Sequence, residues 1–215
     1  MKPGRLRQVL LLTVLLPVAF AAADGAASAP QTILRLWPYA PVEYEGTRKC
    51  PACGLELPDA AVREPDGLQA MAAFLDTRTA EFTSCDFIVP QEYERAAFDL
   101  NGEEDRAKLK TIAAQFGADA ALYPVLLRYR ERDGNRYAVS KPAAVVFHLH
   151  LMDAKNLEIL WSAAYSEEQQ PLSSNLLKFM QSYRRRFRWV TADRLMEDGL
   201  KKVFKDFPGC PEAPR

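Results

Sequence analysis

The sequence predicts an α+β domain: a mixed sheet with a C-terminal three-strand antiparallel meander and helices packed on one face. Three observations carry this. Residues 118–165 are the densest β-type run, broken at Asp133-Gly134-Asn135 and at Asp153-Ala154-Lys155-Asn156, both turn-forming clusters. Upstream, residues 67–83 and 103–116 place apolar side chains at helical spacing. The resulting order, β-α-β-α-α-β-β-β-α-α, is that of helices laid on a sheet rather than of a regular alternating α/β fold.

The amino terminus is set apart from this domain. Lys2, Arg5 and Arg7 precede an apolar run over residues 9–23, which ends in Ala21-Ala22-Ala23 before Asp24. That is the tripartite pattern of a secretory signal peptide. The run is about 15 residues, short of the roughly 20 that span a bilayer as a helix. The expected organisation is a signal peptide over 1–23, a linker over 24–31, one domain over 32–207 and a tail over 208–215. No cysteine follows the apolar run closely, so the exported protein is expected in the periplasm without a lipid anchor.

Within the domain, residues 32–39 alternate Ile33, Leu34, Leu36 and Trp37 with polar residues and read as the first strand, ended by Pro38 and Pro41. Residues 41–65 hold four prolines and two close cysteines and read as a long irregular loop. The helix over 67–83 presents Leu68, Met71, Ala72, Leu75, Thr79 and Phe82 to a core. A short strand, 86–89, leads through Pro90 into a helix over 92–98. The helix over 103–116 buries Leu109, Ile112, Ala113 and Phe116 and is capped by Gly117. Strands over 118–132, 136–152 and 157–165 make the meander. In the second of these, Val145, Phe147, Leu149 and Leu151 face one way, and Val146, His148 and His150 the other. The alternation predicts one packed face and one partly wet face. Residues 173–183 look helical, and Thr191-Ala192-Asp193 begins the last helix, with Leu195, Leu200, Val203 and Phe204 inward.

The charge balance narrows the partners. The chain carries 28 basic and 28 acidic residues; without 1–23 it carries 25 against 28, a net of −3. A nucleic-acid-binding domain shows a strongly basic balance, so no nucleic-acid partner is expected. No GxSxG, GxGxxG or phosphate loop occurs, and no nucleophile–base pair stands out, so no enzymatic activity is expected.

Four cysteines, Cys50, Cys53, Cys85 and Cys210, remain in a chain expected in an oxidising compartment, where disulfides are the rule. Four cysteines allow three pairings; the preferred one joins Cys50 to Cys53 and Cys85 to Cys210. Cys50-Pro51-Ala52-Cys53-Gly54 has two sharper readings beside this structural one. Two thiolates at that spacing can grip zinc if Cys85 and Cys210 complete a tetrahedron. A redox dithiol wants a helix start behind it, which this Pro-rich loop lacks. Haem attachment is excluded because Gly54 stands where a histidine is needed. His148 and His150, the two histidines, share one strand face about 7 Å apart and could begin a metal site with Glu131 or Glu158. A wet pair without metal is the expected outcome there, and no cofactor is expected overall.

The second conspicuous run is Tyr183-Arg184-Arg185-Arg186-Phe187-Arg188-Trp189. Tyr183, Arg184, Arg185, Arg186, Arg188 and Trp189 are candidate partner-binding residues, because guanidinium groups and aromatics are enriched at interface cores. A solvated helix end is the competing reading.

Gly117-Ala118-Asp119-Ala120 at a helix end, a strand running to Arg128-Tyr129, and a turn before Leu157-Glu158-Ile159-Leu160-Trp161-Ser162 together resemble a group of bacterial envelope proteins. Their shared fold is found in the amino-terminal domain of the TolB translocation protein, the periplasmic domain of the curli secretion channel family, and lipoprotein activators of penicillin-binding proteins. The resemblance spans residues 32–205. It implies a non-enzymatic accessory or assembly protein of the envelope that binds other envelope proteins, with peripheral membrane contact compatible. The chain departs from it in lacking a lipid-attachment cysteine and the hairpins that build a channel barrel. The alternative function is a thiol-redox or zinc-binding protein using Cys50 and Cys53.

Overall fold

The computed structural model describes residues 30–58, 66–134, 139–168 and 190–208. The stretch expected to be a signal peptide, the helix expected over 173–183, the Arg-aromatic run and Cys210 lie outside the described residues. The class is as expected, α+β, on a five-stranded mixed sheet.

Strand β1 (Thr32–Arg35) is followed by a small hairpin, β2 (Thr47–Lys49) and β3 (Glu56–Pro58), then helix α1 (Asp66–Thr79) and strand β4 (Asp86–Ile88). Helix α2 (Glu103–Gln115), the long strand β5 (Ala120–Arg130), a short pair β6 (Asp133–Gly134) and β7 (Val139–Lys141), then β8 (Ala144–Asp153), β9 (Ile159–Glu168) and α3 (Ala192–Val203) complete the order. The main sheet runs β4-β1-β5-β8-β9, with β1 parallel to both β4 and β5 and with β5, β8 and β9 antiparallel. The expected meander is β5-β8-β9, with two corrections on its first connection: Asp133–Gly134, expected as a turn, is strand β6, and the single strand expected over 136–152 is divided into β7, which pairs with β6, and β8.

The helices divide between the two faces. Met71 and Leu75 of α1 and Leu195, Met196, Leu200 and Val203 of α3 pack with Ile33, Leu122, Phe147, Leu149 and Leu151. Leu109, Ile112 and Ala113 of α2 pack on the opposite face with Leu34, Tyr123, Val125 and Leu127. The chain steps outward from β1 to β4 and then back past β1 to β5. Parallel crossovers keep one hand, so two steps in opposite directions place α1 and α2 on opposite faces.

Local chemistry explains the element ends. Phe116 closes α2, and Gly117 (φ +63°) follows in the left-handed region. Ala118 N–H donates to the Ala113 carbonyl (2.9 Å) and Gly117 N–H to Ala114 (3.2 Å), the paired bonds of a Schellman cap. Thr191 caps α3, its hydroxyl accepting from Arg194 N–H at 3.3 Å. The helix expected over 92–98 is instead one 3-10 turn, Gln91–Tyr93. Seven residues are too few to repay helix nucleation, and Phe98 is held separately, buried, with its carbonyl accepting from Tyr123 Oη at 2.8 Å.

Two further expectations are corrected. The stretch 41–65 is not wholly irregular: it contains the β2-β3 hairpin, whose three-residue strands are too short to show alternation. The face carrying Val146, His148 and His150 is not wet: His148 is 4% exposed and His150 fully buried. That hairpin lies over it.

One glycine is fixed by packing. A Cβ on Gly199 of α3 would lie 2.5 Å from the Tyr165 ring of β9. The ring is buried between helix and sheet, tilted against Phe147 at 5.3 Å between centroids. Gly199→Ala is therefore expected to destabilise the fold by about 1–3 kcal/mol despite its better helix propensity. Chemical denaturation of the variant checks this; an unchanged midpoint would contradict the packing.

Candidate metal centre

The site is where the hairpin meets the meander. In the hairpin, Lys49 pairs with Glu56 in register and across a 3.3 Å ion pair, so residues 50–55 form the turn. Cys50 N–H donates to the Leu55 carbonyl (2.9 Å), and Gly54 N–H donates to the Cys50 carbonyl (2.8 Å). Gly54 has φ +74°, a conformation that costs glycine little. This tight knuckle places both cysteines on the sheet side of the turn. Cys50 is buried and Cys53 exposed, and both are free thiols. The expected Cys50–Cys53 disulfide is thus not formed, and each sulfur also lies against an imidazole.

From the sheet, β8 supplies the histidines. His148 lies between Val125 of β5 and Ala164 of β9, and His150 between Tyr123 and Ser162. The small residues on β9 leave room above the sheet for two imidazoles. Their rings stand at 85° with centroids 5.8 Å apart, so they converge from different directions.

The two halves meet closely. Cys50 Sγ is 3.3 Å from His150 Nε2, and Cys53 Sγ is 3.4 Å from His148 Nδ1. All four donor atoms lie within 4.8 Å of one another. Zn–S bonds of about 2.3 Å and Zn–N bonds of about 2.0–2.1 Å, at tetrahedral angles, give ligand separations of roughly 3.3–3.8 Å. The two sulfur–nitrogen contacts, at 3.3 and 3.4 Å, fall in this range. Two thiolates and two imidazoles are a structural zinc set, and four protein donors leave no position for a substrate.

The other ring nitrogen of His150 is also engaged. Ser162 Oγ lies 2.8 Å from Nδ1 and can accept its N–H, which fixes the tautomer that leaves Nε2 available. Outer-shell partners of this kind change metal affinity about 10–100-fold when removed. Ser162→Ala is expected to weaken zinc binding by that factor with the fold intact, as read by chelator competition. Unaltered affinity would remove Ser162 from the site.

Burial sets the protonation states of the metal-free site. Desolvation, followed by the neighbouring His148, pushes His150 from 6.5 down to about 4, and desolvation also lowers His148. Desolvation pushes Cys50 up to about 12. Neutral imidazoles suit a metal, whereas the thiols must lose protons on binding, which a dication enforces. The sign of the pH dependence follows. An unfolded His150 takes a proton below about pH 6.5, but a folded one only near 4. The stability of the metal-free protein is therefore full above pH 6.5 and declines as pH falls from 6.5 to 4. The bound for His150 alone is about 3 kcal/mol at 1.36 kcal/mol per pH unit. Urea titrations of chelator-treated protein at pH 7.5 and 4.5 test this; equal stabilities would contradict it.

The further ligands expected for each half lie elsewhere. Cys85 is disulfide-bonded and packs among Ile33, Met71 and Leu75 on the opposite face of the sheet. Its expected partner, Cys210, is outside the described residues. Glu131 accepts from Ala192 N–H at 2.9 Å, and Glu158 sits in the exposed turn between β8 and β9. Each half-site is completed by the other half-site. The residues 183–189, expected to contact a partner, lie outside the described residues. No helix among the described residues is long and apolar enough to cross a membrane.

No family model matches the chain, and no curated protein matches it. Among solved structures it is similar to the lipoprotein GNA1162 from Neisseria meningitidis, at TM-score 0.42 and 20% identity over 72% of this chain and 95% of that one. It is similar to PelC from Paraburkholderia phytofirmans, solved as a dodecamer, at TM-score 0.43 and 14% identity over 80% and 86%. It is also similar to the C-terminal domain of LpoB from Escherichia coli, at TM-score 0.34 and 17% identity over 69% and 90%.

Proposed function

We propose that this chain is an exported accessory protein of the bacterial envelope whose fold is completed by a structural zinc ion on Cys50, Cys53, His148 and His150. The carrying observation is the convergence of those four donor atoms within 4.8 Å. The ion joins a hairpin to a strand about 100 residues further along the chain. Its role is to hold the knuckle over β8, so that the protein presents a fixed surface to envelope protein partners. No catalytic role is assigned to the ion, because the donor set is complete. Export is supported by the amino-terminal charge, apolar run and small-residue site.

Cobalt(II) substitution tests the reading. Tetrahedral cobalt with two thiolates gives intense visible bands and a thiolate charge-transfer band, and zinc should bleach both at one equivalent. Absence of these bands in reduced protein would defeat the proposal. The thiol-redox alternative predicts instead a dithiol that turns over with disulfide substrates and is indifferent to zinc.

A further inference from the structure

We propose that Cys50 and Cys53 form an oxidation-sensitive latch: a disulfide-class oxidant converts the zinc-bound thiolates into a Cys50–Cys53 disulfide, releases the metal and unties the β2-β3 hairpin from β8. This rests on the zinc reading and adds a regulation to the same site.

The two states exclude each other by distance. On one tetrahedral zinc the two sulfurs stand about 3.7 Å apart, whereas a disulfide brings them to about 2.05 Å. The knuckle permits both. Only Pro51 and Ala52, within one tight turn, separate the cysteines, and Gly54, at φ +74°, bears the backbone reversal. The pair is also asymmetric: Cys53 is exposed and Cys50 buried beneath it. Cys53 is therefore the sulfur an incoming disulfide reaches first, and Cys50 is the sulfur that resolves. Cys85 is already in a disulfide, so among the described residues no third thiol competes.

The chemistry balances. Cys53 thiolate attacks one sulfur of the oxidant RSSR, forming a mixed disulfide and expelling RS⁻. Cys50 thiolate then attacks Cys53 Sγ, expelling the second RS⁻. Two protons from solvent give two RSH, the cysteine pair loses two electrons, and Zn²⁺ leaves unchanged in oxidation state. His148 and His150 are left without the metal.

The mechanical consequence follows from what else holds the hairpin. Its own ladder, Thr47 to Pro58 through Lys49 to Glu56, is internal. Its ties to the body, apart from the four ligands, include Ala52 and Leu57 at the edge of the core and Arg128 Nη2 donating to the Pro58 carbonyl at 2.7 Å. With the metal gone and the sulfurs turned to each other, the knuckle loses its link to both histidines, and the polar strip of His148, His150 and Ser162 is uncovered.

The test uses zinc-loaded exported protein treated with oxidised glutathione. Released zinc is read with a chromogenic chelator, the cysteines by alkylation and mass spectrometry, and the hairpin by amide hydrogen exchange. The expected result is one zinc released for every two thiols lost, a linked Cys50–Cys53 peptide two hydrogens lighter, and faster exchange across residues 47–58. Dithiothreitol with zinc should reverse all three. Retained zinc, a persistent glutathione adduct on Cys53, or unchanged exchange across 47–58 after zinc release would each overturn the latch. A chain that binds no zinc before oxidant is added would instead overturn the zinc reading itself, so the two failures are told apart at the first step.

Discussion

Chelation of the zinc-loaded protein is expected to lower its thermal midpoint by roughly 8–16 °C. The size follows from linkage. A ligand that binds only the folded state at about a thousand times its dissociation constant stabilises by about 4 kcal/mol. One kcal/mol moves the midpoint of a 150–250-residue domain by about 2–4 °C. Total unfolding is not expected, unlike in a classical zinc finger. The sheet has two apolar faces of its own, with Leu122, Phe147 and Leu149 fully buried on one and Tyr123, Val125 and Leu127 on the other. The loss should be local at first, with exchange protection falling in the hairpin before the meander. Differential scanning calorimetry with and without chelator measures it, and coincident transitions would show that no metal contributes to the fold.

Replacing the buried ligands should have the largest effect on binding. Cys50→Ser and His150→Ala are each expected to weaken zinc by more than the roughly 100-fold upper range of outer-shell changes. Each removes a donor from a dry position, since both residues are fully buried. The serine hydroxyl is a poor ligand for zinc and leaves a polar group under the hairpin, which costs about 1–3 kcal/mol if unpaired. Cys53→Ser should be milder, because Cys53 is exposed and a water can take the fourth position. The predicted order of residual affinity is therefore Cys53→Ser above Cys50→Ser and His150→Ala. Chelator competition gives this order directly. A Cys53→Ser loss as severe as the others would contradict the assignment of an inner and an outer side.

Much of the fold was legible in the sequence, and for identifiable reasons. The turn at residues 153–156, the αL glycine after α2 and the Thr191 cap are local chemistry, and local chemistry is written in adjacent residues. The distribution of helices over two faces was not legible, because it depends on the direction of successive crossovers. The 3-10 turn at Gln91–Tyr93 was hidden because a short apolar stretch has the same spacing in either conformation.

The metal centre was legible in halves. Cys50-Pro51-Ala52-Cys53 and His148-Leu149-His150 each offer two donors and each lack two. Completing either half alone led to Cys85, Cys210, Glu131 and Glu158. The missing step was tertiary: the β2-β3 hairpin docks on β8, bringing residues 95 and 100 positions apart into contact. The alternation at His148 and His150 predicts a wet face because polar residues alternating with apolar ones usually face water. A polar face can equally be dry when its partners come from another part of the chain. Two incomplete pairs of complementary ligands in one chain were the signal that pointed to each other.

The most direct measurement is zinc-edge X-ray absorption on the reduced protein, with metal content determined on the same sample. The account predicts one zinc per chain, with two sulfur scatterers at about 2.3 Å and two imidazole nitrogens at about 2.0–2.1 Å. A reduced chain that takes up no zinc, or a bound zinc whose shell contains only oxygen and nitrogen, would contradict it.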